Sequence, residues 1–193
     1  MKKLFAAVLV LVSQVFIIES CSNANSTGKQ ITKSDLNYVC MPCGRNCDTT
    51  VYKAPGQCNS CMMDMVDQKT VHIKNITPAA LCNYIDGIGK ENIVLLDVRT
   101  PEEFNGTAPD KFGKLTGAVN IPVQELEKRI LELAVYKNKE IIVYCSHSHR
   151  SPMASYILMQ KGFTKITNME FGMSEWHNKV KNDTCNDQLY VKQ

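Results

Sequence analysis

The chain has 193 residues, 44% of them hydrophobic and 21% charged, which fits one ordinary globular domain with room for a small module. The formal net charge is only +3 and lysines are dispersed among acidic residues, so the basic footprint of a nucleic-acid-binding protein is excluded. Nine cysteines exceed what chance supplies in such a chain, and they fall into groups that need separate explanations.

Residues 1–20, MKKLFAAVLVLVSQVFIIES, join a short basic start to an apolar core from Leu4 to Ile18, interrupted by Ser13 and Gln14. Charge and length predict a secretory signal peptide, too short and too broken for a permanent membrane span. The segment runs into Ile18-Glu19-Ser20-Cys21, which resembles a bacterial lipobox with Cys21 as the residue to be lipidated. Glu19 departs from that pattern, being larger and more polar than its position usually carries. An ordinary cleaved signal followed by a coincidental cysteine is the alternative. Residues 21–37 contain the polar stretch SNANSTGKQ and are expected to act as a flexible tether. The expectation is an exported, periplasmic protein that meets the membrane through a lipid anchor alone. The outer membrane is favoured, because Ser22 gives no reason for inner-membrane retention.

Residues 38–67 hold Cys40 and Cys43 in one C-x2-C pair and Cys58 and Cys61 in another, about fifteen residues later. Each short turn can present two thiolates to one ion, and a hairpin between them would bring the pairs together. TTVYK reads as a strand of that hairpin and APGQ as its turn. So little apolar surface is present that a staple is expected. An all-thiolate site suits zinc, while Met62, Met63 and Met65 would suit a soft ion such as Cu(I), unless they merely fill space beneath the knuckle. Disulfides are the rival reading in an oxidising compartment. The segment resembles the small heavy-metal-binding domains attached to bacterial metal transport and resistance proteins. Tyr38, Cys40, Pro55, Gly56, Cys58, Cys61, Met63 and Asp64 carry the likeness. It departs at Cys43, near where that family has histidine, and at the additional Cys47, whose role the spacing leaves open.

Residues 70–181 alternate strand and helix signals, which predicts an α/β domain built on an open parallel sheet flanked by helices. VHIKNI is a short strand, followed by a helix that Thr77 and Pro78 begin and that carries Leu81, Tyr84 and Ile85. NIVLLDV is a buried strand, and Thr100-Pro101 starts a helix with Glu102 and Glu103 in its first turn. TGAVNIP gives another short strand. VQELEKRILELAVY reads as an amphipathic helix with Val123, Leu126, Ile130 and Leu133 on one face. KEIIVYC is the most apolar strand and is placed at the centre of the sheet. A helix through PMASYILMQKG ends at Gly162, KITNME is the last strand, and MSEWHNKV the last helix. Residues 182–193 read as a polar tail containing Cys185, while Cys82 reads as a small core residue on the first helix.

Cys145 ends the central strand, where open α/β sheets place their ligand sites. Ser146, His147, Ser148, His149 and Arg150 must turn the chain into the next helix. Curled backbone N–H groups, the helix N-terminus and Arg150 would each favour the thiolate. His147 and His149 alternate along the loop, so both are expected on one side of it. A ligand role for them would consume the nucleophile.

The domain is similar to a single rhodanese-type sulfurtransferase domain. The likeness rests on Asp97-Val98-Arg99 with Glu102, Glu103 and Phe104, and on Gly117-Ala118-Val119-Asn120-Ile121-Pro122. It continues through Tyr144-Cys145, Arg150-Ser151 and Ala154, and ends with Gly172 and Trp176. The resemblance implies that Cys145 takes up a sulfane sulfur as a persulfide and passes it to a nucleophile such as a thiol or cyanide. It implies that Arg150 and the loop amides bind a small anionic donor, with Asp97 and Arg99 in support. No cofactor is expected for this chemistry. Fold-related phosphatases and arsenate reductases use a C-x5-R loop, one residue longer than the C-x4-R loop of this chain, so they are the weaker alternative. A stronger one is an exported metal-binding protein that uses the domain as a binding or redox module.

Overall fold

The computed structural model describes residues 36–180 and 183–193. The expected signal peptide, Cys21 and most of the tether lie outside the described residues. Among the described residues, no helix is long and apolar enough to cross a membrane.

Residues 38–67 form a small module. Strand β1 (Tyr38–Cys40) pairs antiparallel with β2 (Met65–Asp67), placing Cys40 opposite Met65. The expected strand TTVYK is absent. Asn46–Thr49 is a 3-10 turn, and Tyr52 makes only a single bridge to Tyr38. The reason is the core: it consists of Cys40, Cys43, Cys47 and Cys58, flanked by Tyr52, Cys61 and Met63. Chain segments that must deliver sulfurs inward from several directions cannot also lie flat in a ladder. Met63 packs on this cluster, whereas Met62 projects into solvent.

The α/β domain begins with β3 (Lys74–Ile76), a 3-10 turn over Pro78–Ala80, and α1 (Leu81–Ile88). It continues through β4 (Ile93–Asp97), α2 (Pro101–Asn105), β5 (Lys114–Leu115) and β6 (Val119–Asn120). Next come β7 (Glu140–Tyr144), α3 (Arg150–Gln160), β8 (Ile166–Met169) and α4 (Trp176–Lys179). The chain closes with α5 (Thr184–Leu189) and β9 (Tyr190–Val191).

Five strands form one parallel sheet in the order β3-β8-β7-β4-β6, which puts β7 at its centre as expected. Both faces of β7 are covered. Ile141 and Val143 pack with Leu96, Leu126, Leu133 and Leu158, while Ile142 and Tyr144 pack with Leu81, Leu95 and Trp176 on the other side. A strand buried on both faces must be apolar at every position, which is why IIVY is a continuous run rather than an alternation.

Two further expectations needed correction. VQELEKRILELAVY is not an α-helix; it runs through successive turns into a 3-10 helix over Ile130–Tyr136. Most of its bonds span three residues, as from Leu126 N–H to the Val123 carbonyl and from Glu132 N–H to the Arg129 carbonyl, with one four-residue bond from Arg129 N–H to the Glu125 carbonyl. Apolar positions spaced three, four and three residues apart satisfy either helix type, and Val123, Leu126 and Leu133 are buried all the same. The second correction is the polar tail, which is structured. Asp183 caps α5 through the N–H groups of Cys185 and Asn186, and β9 pairs with β5. Asn186 is fully buried, accepting from Cys82 N–H and donating to the Ala79 carbonyl. Cys82 and Cys185 form a disulfide across a separation of 103 residues.

That cross-link restricts the unfolded chain, so Cys185→Ser should lower the unfolding free energy by about 2–4 kcal/mol. Urea titrations with and without dithiothreitol check this. Reductant should shift the midpoint of the parent protein and leave the variant nearly unmoved; equal midpoints for both proteins without dithiothreitol would contradict the cross-link.

Candidate functional site

Cys145 follows β7 directly and is fully buried. Ser146 to His149 then turn the chain, with Ser148 in the left-handed region at φ 58°, and α3 starts at Arg150. No side chain caps α3, so its first amides remain directed at the loop. The Cys145 thiol donates to Ser151 Oγ at 3.5 Å.

This loop is held from two sides. On one, Met173 N–H donates to the Cys145 carbonyl at 2.9 Å and Ser174 N–H to the Ser146 carbonyl at 3.0 Å. The approach requires Gly172: at φ 66°, a Cβ there would stand 2.2 Å from the Ser146 oxygen and 2.6 Å from the Cys145 oxygen. On the other side stands Glu103. Its carboxylate accepts two bonds from Arg150, Nη1 to Oε2 at 2.6 Å and Nη2 to Oε1 at 2.7 Å. It also accepts from Ser146 Oγ at 2.7 Å, so both ends of the loop are tied to α2.

Glu103 is itself fixed by a capping box: Thr100 Oγ accepts from Glu103 N–H, and Thr100 N–H donates to Glu103 Oε2. Partial burial pushes its carboxyl upward, but the bonds from Arg150, Ser146 and Thr100 N–H outweigh this and hold it down at about 2. The same pairing raises Arg150 above its usual range. Arg150 therefore faces the loop as one half of an ion pair rather than as an isolated cation.

Asp97 and Arg99 form a second pair, both fully buried, with Arg99 Nη2 2.6 Å from Asp97 Oδ2. Arg99 also reaches the Gly113 carbonyl, and Asn120 Nδ2 donates to the carbonyls of both Asp97 and Arg99. This lattice locks the end of β4 beside the loop. His147 and His149 do not share a side: His147 meets the Phe112 ring edge-on at 5.3 Å, and His149 Nδ1 lies 3.1 Å from the Cys43 carbonyl.

In the module, the sulfurs of Cys40, Cys47, Cys58 and Cys61 lie within 4.8 Å of one another. Cys47 occupies the corner that spacing assigned to Cys43. Asp48 accounts for the exchange: its carboxylate accepts from Cys43 N–H, Gly44 N–H and the Cys43 thiol, and draws Cys43 aside. The 3-10 turn over Asn46–Thr49 meanwhile carries Cys47 inward. Cys43 stays adjacent, with 3.6 Å between its sulfur and that of Cys47. Burial pushes the Cys40 thiol up, whereas the hydrogen bond with Cys40, against burial, and the Ser60 and Cys61 amides draw Cys58 down to about 6.

The family model described as Rhodanese-like domain matches residues 83–179, just over half of the chain. The chain belongs to the rhodanese-like family. Over 93 residues it is 37% identical to the uncharacterized protein YqhL of Bacillus subtilis, a stretch covering 48% of this chain and 68% of that one. It is 31% identical over 87 residues to a sulfurtransferase of Allochromatium vinosum, covering 45% and 73% of the two chains. With thiosulfate sulfurtransferase PspE of Escherichia coli it shares 34% identity over 73 residues, 38% of this chain and 64% of that one. The cysteine cluster lies before the matched residues.

Within the rhodanese-like domain, the partnership of Glu103 with Arg150 went unread in the sequence, although the Thr-Pro-Glu-Glu start of α2 signals a capping box. Glu103 sits well below its usual 4.5, so its stabilisation is complete above that value and is lost as pH falls toward about 2. Glu103→Gln should therefore flatten the acid limb of stability between these values. Unfolding midpoints measured across that range check it; parallel curves for the two proteins would contradict the ion pair.

Proposed function

We propose that the protein is a sulfurtransferase that carries a sulfane sulfur on Cys145. The observation that bears most weight is an intact buried thiol at the end of the central strand, followed by a C-x4-R loop anchored through Glu103 and Gly172. Sulfurtransferases among its relatives support the same reading. In the first half-reaction the Cys145 thiolate attacks the outer sulfur of a small anionic donor such as thiosulfate, and sulfite leaves. In the second, a thiol or cyanide attacks the outer sulfur of the persulfide and the Cys145 thiolate departs. Neither step changes the overall oxidation level of the pair. Loop amides, the start of α3 and Arg150 would receive the donor; polysulfides or other persulfides suit the same loop.

The hydrophobic leader with Cys21 supports an exported, periplasmic and lipid-anchored location, on the outer membrane in preference. The Cys82–Cys185 disulfide supports an oxidising compartment independently. The direct test is thiocyanate formation from thiosulfate and cyanide. Activity should vanish in Cys145→Ser while the folded state persists; activity surviving in that variant would remove the reading.

A second function rests on the four clustered sulfurs, which fit a tetrahedral all-thiolate site for zinc, or for a soft ion such as Cu(I). Four thiols this close in an oxidising compartment would otherwise form disulfides, and a metal protects them. Metal content of the purified protein tests this. Cys47→Ser should lose the metal and Cys43→Ser should retain it; the reverse pattern would return the site to the spacing-based set of Cys40, Cys43, Cys58 and Cys61.

A further inference from the structure

The cysteine module holds five free thiols, Cys40, Cys43, Cys47, Cys58 and Cys61, one more than a tetrahedral ion can take. Cys40, Cys47, Cys58 and Cys61 form the set already described, which leaves Cys43 over. Its sulfur lies 3.6 Å from Cys47 Sγ and 3.1 Å from Asp48 Oδ1. The two sulfurs and a carboxylate oxygen of Asp48 all fall within 4.8 Å of one another. They make a second group of possible ligands, and it shares Cys47 with the first.

The spacing suits one ion. Two bonds of about 2.3 Å from a tetrahedral zinc hold their sulfurs about 3.8 Å apart. Cys43 and Cys47 stand close to that separation. The third donor is aimed by the protein itself. The Cys43 thiol donates to Asp48 Oδ1, so sulfur and oxygen face each other across a single proton. A cation can take that proton's place, the proton passing to solvent. Gly44 N–H, 2.7 Å from Asp48 Oδ2, fixes the carboxylate from behind, as outer hydrogen bonds do for metal-bound carboxylates. Cys43 is held in turn, because its carbonyl meets His149 Nδ1 and a Cβ on Gly44 would fall 1.8 Å from the Ser148 oxygen.

Access and charge agree with this geometry. An open cavity of about 420 Å³, lined by Gly44, Arg45, Asn46, Cys47, Ser60 and His149, opens onto Cys47 and can admit both an ion and a water as its fourth ligand. A divalent ion on four thiolates leaves a net negative charge, and the Asp48 carboxylate stands beside it. A second cation offsets both.

We infer that the module is binuclear: a second divalent ion binds Cys43, Asp48 and Cys47, with the Cys47 thiolate bridging the two ions. The inference rests on the four-thiolate reading of the first site. A carboxylate ligand selects zinc or a similar borderline divalent ion over Cu(I), which favours sulfur ligands. Asp48, which draws Cys43 out of the first set, thereby assigns it to the second.

The test uses the purified full chain, reduced, stripped of metal by a chelator, and titrated with Co²⁺ in the absence of oxygen. The first equivalent should give the absorption of tetrahedral cobalt on thiolates and a strong electron paramagnetic resonance signal. The second should raise the absorption further yet quench that signal, because a bridging thiolate couples the two ions magnetically. Zinc measured in parallel should be two ions per chain in the parent and one in Cys43→Ser and in Asp48→Asn, which keeps an oxygen for the module's amides. The ion remaining in each variant shows that the module still folds. One ion in the parent, two in both variants, or a signal that doubles instead of fading would overturn the bridged second site while leaving the first intact. No bound ion in the parent would instead overturn the four-thiolate site, and this inference with it.

Discussion

The structure depends on how the chain turns from β7 into α3 over a fully buried thiol. A loop of four residues cannot hold one shape by itself, since its own backbone offers too few partners. Its geometry is imposed by neighbours: Glu103 grips Ser146 and Arg150 together, and the segment after Gly172 captures the carbonyls of Cys145 and Ser146. Behind these, the buried Asp97–Arg99 pair keeps β4 in register with Tyr144. Removing one partner of such a pair strands a charge in the interior, so these residues stand or fall as sets.

Much of this order was legible in the chain. The two-sided burial of β7 shows as an uninterrupted apolar run, and the strand-to-helix turn at Cys145 shows as its abrupt end. What escaped are relationships that spacing does not encode. Cys43 and Cys47 compete for one corner of the cluster, and Asp48 decides between them by binding Cys43. Local pattern gives no sign of a carboxylate doing that work. The segment 123–136 keeps its apolar face in either helix type, so periodicity recovered the burial and missed the geometry. At the C-terminus, composition misled: Asn186 is polar and yet fully buried, because its amide completes the start of α1.

Two forms of sulfur chemistry share one compact unit. Cys82 and Cys185 are oxidised to each other, while the clustered thiols and Cys145 are free. On the proposed reading, an oxidising location would account for the first and a bound metal for the survival of the cluster, while Cys145 is fully buried. The module packs against the loop through Gly44 and Cys43, so the segment between Cys40 and Cys47 lies against Ser148 and His149 of the loop that follows Cys145.

The central claim is that Cys145, and no other thiol, carries the transferred sulfur. Mass spectrometry of the folded protein after exposure to thiosulfate, under non-reducing conditions and with peptide mapping, addresses it directly. The account predicts one added sulfur atom on the peptide containing Cys145, removable by cyanide. Sulfur found on the cluster cysteines with Cys145 unmodified would contradict it.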